Sequence, residues 1–345
     1  MSSTPTTKGD DRVKARSPLS GLLSTPEVGA LIGAVAVLVL FLTVAPPFRS
    51  VAAIGTIGYL ASTIGMMAVP VALLMIGGEF DLSAGVAMTT SALVASMFAW
   101  QFSTNLWVGV IVALAVALLV GFLNGLLLVR TKLPSFLVTL GTFFILQGFN
   151  LAMTKKITGG VTSPRISDMD GFDAAQNIFA ASLTIGRVNL KITVLFWILL
   201  TALGALVLAK TRLGNWILAS GGDADAARAV GVPVTKVKIG LFMFVGFCAW
   251  LLGMHTLFNY GSVQSNIGVG DEFIFIIAAV VGGCLLTGGY GSVIGASLGA
   301  LIYGMTNLGI TYAGWNPDWL KTFLGIMLVL ATLVNTYIRR QAEKR

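Results

Sequence analysis

LWVGVIVALAVALLVGFLNGLLLV, residues 106–129, runs for 24 residues without an Asp, Glu, Lys or Arg. A helix rises about 1.5 Å per residue, so this run reaches about 36 Å and crosses the roughly 30 Å of bilayer hydrocarbon. Nine further runs free of those four residue types flank it: 28–45, 51–76, 82–100, 135–153, 192–209, 239–258, 273–287, 292–313 and 322–338. The stretch 273–287 is short, and Gly141 and Gly148 mark 135–153 as a bent or partial span. The reading is therefore all-α and polytopic, with about ten transmembrane helices in one membrane domain.

Composition agrees. Of 345 residues 56% are hydrophobic and 10% charged, against about 25% charged in a soluble chain. The net charge of +8 sits in short segments between apolar runs and forms no aromatic-interleaved patch, which excludes a nucleic-acid partner and points to membrane topology. The first 27 residues are polar and basic, with Lys8, Arg12, Lys14 and Arg16, and the run after them lacks a small-residue cleavage site, which argues against a removable signal peptide. With the N-terminus in the cytoplasm, 1–27, the turn holding Arg130 and Lys132, 210–238 and the C-terminal tail hold 15 of the 22 basic residues. The positive-inside rule then puts both termini in the cytoplasm. The expected organisation is a tail at 1–27, a transmembrane domain at 28–338 and a tail at 339–345. Within the domain, 154–191 is an external loop carrying Asp168, Asp170 and Asp173, a lid or docking surface, and 210–238 is cytoplasmic.

Gly121-Phe-Leu-Asn124-Gly125 in the fourth run is echoed by Gly304-Met-Thr-Asn307-Leu-Gly309 in the ninth. An offset of five spans inverts one copy relative to the other, as in inverted-repeat transporters. Small-residue helix packing accounts for the same glycines.

The energy source lies outside the chain. His255 is the one ionisable residue inside the runs and reads as a hydrogen-bonded or interfacial group; Glu79 and Asp81 fall at a span boundary. No Gly-Lys-Ser/Thr occurs, so there is no phosphate-binding loop of the Walker type. Cys248 and Cys284 fall in apolar runs and read as small hydrophobes, so neither a metal nor a disulfide is expected. The cytoplasmic segment Leu213–Lys238 is the positive signal. Asp223 follows two glycines and precedes an alanine-rich stretch, so it N-caps a short helix that Gly231 ends and Pro233 keeps from continuing. A plain connector needs only a few residues. A capped helix carried between two spans can transmit the movement of an attached motor.

Three stretches carry a resemblance: GGEFDLSAG at 77–85, residues 214–231, and IIAAVVGGCLLTGGYGSVIGASLGALIYG at 276–304. Together they resemble the sugar-type permeases of bacterial ATP-binding-cassette (ABC) importers, related to the ribose, xylose and galactose permeases. Asp223 stands where that family commonly has Asn, and Ala84 where it has valine. The resemblance implies a type II importer-like fold with ten spans, a homodimer or pseudo-dimer around one path, and an extracytoplasmic sugar-binding protein. It also implies two cytoplasmic ATPases that hold the ATP-Mg, leaving this chain with no cofactor and no enzymatic site. The implied coupling element is Gly221, Gly222, Asp223, Ala226, Ala227, Arg228 and Gly231, with Arg228 able to pair with acids on the motor. Glu79, Asp81 and Ser83 form a signature in which Asp81 either N-caps the third span through the amide of Ser83 or Ala84 or belongs to a polar gate. Asn124, Gln147, Asn150 and Asn307 are candidates for the solute path, and also for helix-to-helix glue. Trp315 and Trp319 read as interface anchors. A monosaccharide is the favoured solute. A secondary transporter or a channel is the alternative, and neither requires a capped cytoplasmic helix; a membrane-embedded enzyme would need a cluster of acids, histidines or cysteines.

Overall fold

A computed structural model describes residues 26–343. Its helices are α1 (Pro26–Val44), α2 (Val51–Ile76), α3 (Ala84–Gln101), α4 (Leu106–Thr131), α5 (Ser135–Thr158), α6 (Phe172–Phe179), α7 (Ile192–Lys210), α8 (Arg212–Gly222), α9 (Ala224–Ala229), α10 (Val234–Tyr260), α11 (Asp271–Val281), α12 (Val293–Tyr312) and α13 (Trp319–Glu343). Among the described residues the strand pairing is an antiparallel hairpin, β1 (Ser182–Ile185) with β2 (Val188–Lys191), and an isolated antiparallel bridge joins Thr162 to Gln264. The end of the bundle that carries α8 and α9 is termed here the near end, and the end that carries α6 and the hairpin the far end.

Seven of these helices, α1, α2, α4, α5, α7, α10 and α12, are long and apolar enough to cross a membrane. Each of the expected ten runs contains a helix, but three of those helices fall short of that standard. Helix α3 has 18 residues of lower hydropathy, α13 carries a shorter apolar stretch at Trp319–Val334, and α11 has 11 residues. At about 1.5 Å per residue, α11 rises about 16 Å, half a bilayer.

The partial span expected at 135–153 is not there. Helix α5 runs unbroken for 24 residues, and a Cβ added to Gly141 or Gly148 would meet nothing within 4 Å. Those glycines face outward. The coupling segment also differs from expectation, because it holds two helices, α8 and α9, and α10 already begins at Val234. The expected tail at 339–345 is backbone-helical as far as Glu343, and the tail expected at 1–27 lies almost wholly outside the described residues.

Helices α2, α12 and α10 are the buried centre, while α1, α5 and α7 expose apolar faces such as Leu31, Phe144 and Leu199. Such faces belong against lipid. The two most extensive helix contacts are α2 on α12 and α4 on α10. Gly304 permits the first: a Cβ there would stand 2.8 Å from the Ala61 amide nitrogen. Gly121 permits the second, where a Cβ would stand 2.4 Å from the Phe242 carbonyl oxygen.

The connections α2–α3 and α10–α11 are irregular. Each turns back into the bundle before the next helix starts. Residues 77–83 leave the near end of α2, and 261–270 leave the far end of α10, where Gly261 accepts the turn at φ +73°. The two meet inside, where a Cβ on Gly268 would stand 2.2 Å from the Gly85 carbonyl oxygen.

Candidate functional site

Residues 77–83 are held by hydroxyl groups from α5. The Phe80 amide donates to Ser135 Oγ at 3.0 Å and the Leu82 amide to Thr139 Oγ1 at 3.1 Å. Ser83 donates to Asp81 Oδ1 through both its amide (2.8 Å) and its hydroxyl (2.6 Å); the N-cap of α3 is Ser83 itself, so Asp81 holds the turn before the helix and does not cap it. Asn124 Nδ2 donates to Ser83 Oγ at 3.0 Å, and Thr142 Oγ1 donates to Asn124 Oδ1 at 2.6 Å. Ser135, Thr139 and Thr142 recur at spacings of four and three, one face of a helix. They supply the acceptors and donors that an irregular buried backbone needs.

Glu79 is buried, and its partner is Lys238 in the first turns of α10. A boundary carboxylate expected near water is therefore an ion pair inside the fold.

The end of α8 lands on the same place. A Cβ on Gly221 would fall 1.8 Å from the Ile76 carbonyl oxygen, the last residue of α2. That carbonyl accepts the Gly289 amide at 2.8 Å. Gly288, at φ +77°, sits so that an added Cβ would be 2.7 Å from both Gly78 Cα and the Gly221 carbonyl oxygen. Three backbones thus cross with no room for a side chain between them, a contact that only glycine permits. The three motifs 77–85, 214–231 and 276–304 converge at this junction.

Beyond it, Asp223 caps α9, its Oδ1 accepting from the amides of Asp225 (3.0 Å) and Ala226 (2.9 Å). Ala227 is the buried foot of this six-residue helix, while Ala226 and Gly222 are exposed. Gly231, at φ +86°, turns the chain toward α10. Arg228 pairs with Asp225 of its own helix. Val230 at the tip is 81% exposed.

The path candidates are not brought together. Asn124 has both ends of its amide engaged, and Asn307 Nδ2 donates to Tyr303 Oη one turn away at 3.2 Å. Gln147 is half-buried, and Asn150 is buried with Nδ2 lacking a partner. His255 bridges Phe179 and Tyr59, with Nδ1 2.8 Å from the Phe179 carbonyl and Nε2 3.4 Å from Tyr59 Oη. Cys248 and Cys284 are free and buried.

The sequence reading missed several groups. The hydroxyl stripe on α5 was visible as three polar residues at helical spacing. Nothing local signals the pairing of Glu79 with Lys238, 159 residues apart. Glu272 amends the expectation that His255 is the one ionisable group in the spans, because α11 begins at Asp271 and encloses Glu272 at 2% exposure.

Residues 53–332 match the family described as "Branched-chain amino acid transport system / permease component". The chain belongs to this permease family. The permease is similar to the fructose import permease protein FrcC of Rhizobium meliloti, 31% identical over 279 residues, 81% of this chain and 76% of that protein. It is also similar to the ribose import permease protein RbsC of Escherichia coli, 29% identical over 311 residues, 90% of this chain and 93% of that protein. The galactose/methyl galactoside import permease protein MglC of Haemophilus influenzae is 29% identical over 283 residues, covering 79% and 82%. No solved structure matches the permease. The family description names amino acids while these relatives name sugars, so membership decides the transport role and not the solute.

Proposed function

We propose that the permease is the membrane subunit of an ATP-driven importer that takes a monosaccharide inward, moved by an ATPase docked on α8 and α9. The convergence of Gly78, Gly221 and Gly288 carries this reading. A rigid three-backbone contact joins the projecting helices to the α2–α3 break and to the 282–292 loop before α12. Lys238 ties the other end of the same segment to Glu79. A displacement of α9 therefore pulls on one break from two sides.

Several observations support the rest. The near end carries Arg130, Lys132, Lys210, Arg212 and Lys236, and this basic excess supports a cytoplasmic near end, with both termini on that side in this reading. Ten passes follow if α3 and the pair formed by 261–270 with α11 each count as one. An inverted repeat relates α2–α5 to α10–α13: under that exchange the contact α4 on α10 becomes α12 on α2, and α3 on α5 becomes α11 on α13, and all four are present. The echoed glycines Gly121 and Gly304 sit at corresponding closest approaches. Helices α1 and α7 both lie on the α2/α12 side and stand outside this relation. The sugar class rests on the fructose, ribose and galactose permeases that the chain resembles over most of its length. The partners in this reading are two ATPases holding ATP-Mg, an extracytoplasmic sugar-binding protein and a second permease copy.

The test is reconstitution in vesicles with the candidate ATPase and binding protein. Sugar should accumulate only with ATP inside the compartment that holds the ATPase, and Gly221→Val should abolish accumulation without preventing membrane insertion. Uptake that persists without ATP or without the ATPase overturns the proposal.

A further inference from the structure

Residues 261–270 begin at the far end of α10 and descend. The Gly268 amide donates to Thr89 Oγ1 at 3.0 Å. Thr89 lies 12 residues before the end of α3 at Gln101, which is about 18 Å of helix. The segment thus carries irregular backbone about halfway through the bundle before α11 starts at Asp271. One face of it is packed: Val263, Ser265, Gly268 and Glu272 are buried. The other face is open, with Gln264, Asn266, Ile267, Val269 and Phe273 exposed and Asp271 half-buried.

Non-helical backbone at membrane depth is tolerated where protein buries it or where it borders water, and not against lipid. An exposed face that presents Gln264, Asn266 and Asp271 fits the second case. The far-end loop fixes this segment in place. Ser163 donates its amide to the Val263 carbonyl (2.8 Å) and accepts the Val263 amide on Oγ (3.0 Å). The Ile166 amide donates to Gly261 (2.9 Å) and the Ser265 amide to Val161 (2.9 Å). The open face stays free of these bonds.

We propose that residues 264–273 line the outer half of the solute route, with Gln264, Asn266 and Asp271 as its polar contacts and Phe273 as an apolar face. This rests on the importer reading above and names residues for the path it requires. The chemistry suits a neutral polyhydroxylated solute. Amide and carboxylate groups exchange hydrogen bonds with hydroxyls, and an exposed ring covers the apolar face of a sugar. None of the four polar candidates read from the sequence lies in this stretch.

The experiment uses the assembled transporter in right-side-out vesicles, with a sulfonated, membrane-impermeant maleimide as probe. Asn266→Cys is compared with Leu199→Cys, which sits on the exposed apolar face of α7. The thiol introduced at position 266 should react about tenfold faster or more, since a thiol in an apolar setting stays protonated and unreactive. Val269→Cys serves in the same comparison should the first variant fail to assemble. Reaction no faster than that of the Leu199→Cys variant, in a transporter that still accumulates sugar with ATP, overturns this proposal and leaves the importer reading standing. A parent protein that accumulates no sugar with ATP overturns the importer reading itself. As a second measurement, Asn266→Ala should raise the sugar concentration needed for half-maximal uptake; an unchanged requirement for sugar also counts against the assignment.

Discussion

The breaks at 77–83 and 261–270 have the same geometry and different fastenings. Each turns back into the bundle, and they cross at Gly85 and Gly268. The near-end break is held by side chains: the Glu79–Lys238 pair, the Asp81–Ser83–Asn124–Thr142 chain of hydrogen bonds, and a glycine junction with no spare volume. The far-end break is held mostly by backbone, through a short ladder to residues 161–166 reinforced by one serine. Side-chain fastenings tie the near-end break to specific partners and transmit a displacement in any direction. The backbone ladder fastens the far-end break to the neighbouring loop, with Val263 and Ser265 buried behind it. The near-end break is accordingly tied to the projecting helices, and the far-end break to the far-end loop.

Gly221→Val should have the largest effect. Its side chain has no space, and overpacking costs about 1–3 kcal/mol or more; ATP-driven uptake in vesicles should vanish. Retained uptake would show that the junction is not rigid. Lys238→Met leaves Glu79 buried without a partner, at a cost of about 3–5 kcal/mol, read as a lower melting temperature in detergent. The double variant with Glu79→Gln should recover part of that loss, and failure to do so would remove the ion pair from the comparison.

Two smaller changes separate the ends. Asp223→Ala removes the cap of α9 for about 1 kcal/mol. It should lower uptake and ATPase coupling while insertion and melting temperature barely move, because α9 lies outside the packed core. Ser163→Ala removes one fastening of the far-end break, also about 1 kcal/mol, and should speed amide exchange at Val263 without changing exchange at Leu82. Equal acceleration at both sites would show the two breaks acting as one unit. Gly148→Ala is the smallest change: on an outward face of an unbroken helix it should stabilise by about 0.5–1 kcal/mol, whereas destabilisation would support the expected bend in α5.

Much of the fold could be read from local pattern. The run 51–76 coincides with α2, and 192–209 and 292–313 with α7 and α12 to within a residue or two, because lipid demands long uncharged helices with their hydrogen bonds satisfied internally. The cap at Asp223 was equally legible, since capping is decided by one side chain and the next three amides. Helix α11 was not. Its acidic start, Asp271-Glu272, looks like the edge of a loop unless the neighbouring Gly85 and Gly268 are known to lie against it.

Composition and periodicity thus determined a polytopic helical membrane protein with a capped helix between two spans, because those properties depend on residues close in the chain. The capped helix, residues 77–85 and residues 276–304 could each be picked out separately as motifs. That they form one junction was decided by tertiary structure alone. Close contact between Gly78, Gly221 and Gly288, and the bond of Lys238 to Glu79, depend on where distant helix ends arrive in space, and glycine records that a backbone comes close without recording which one.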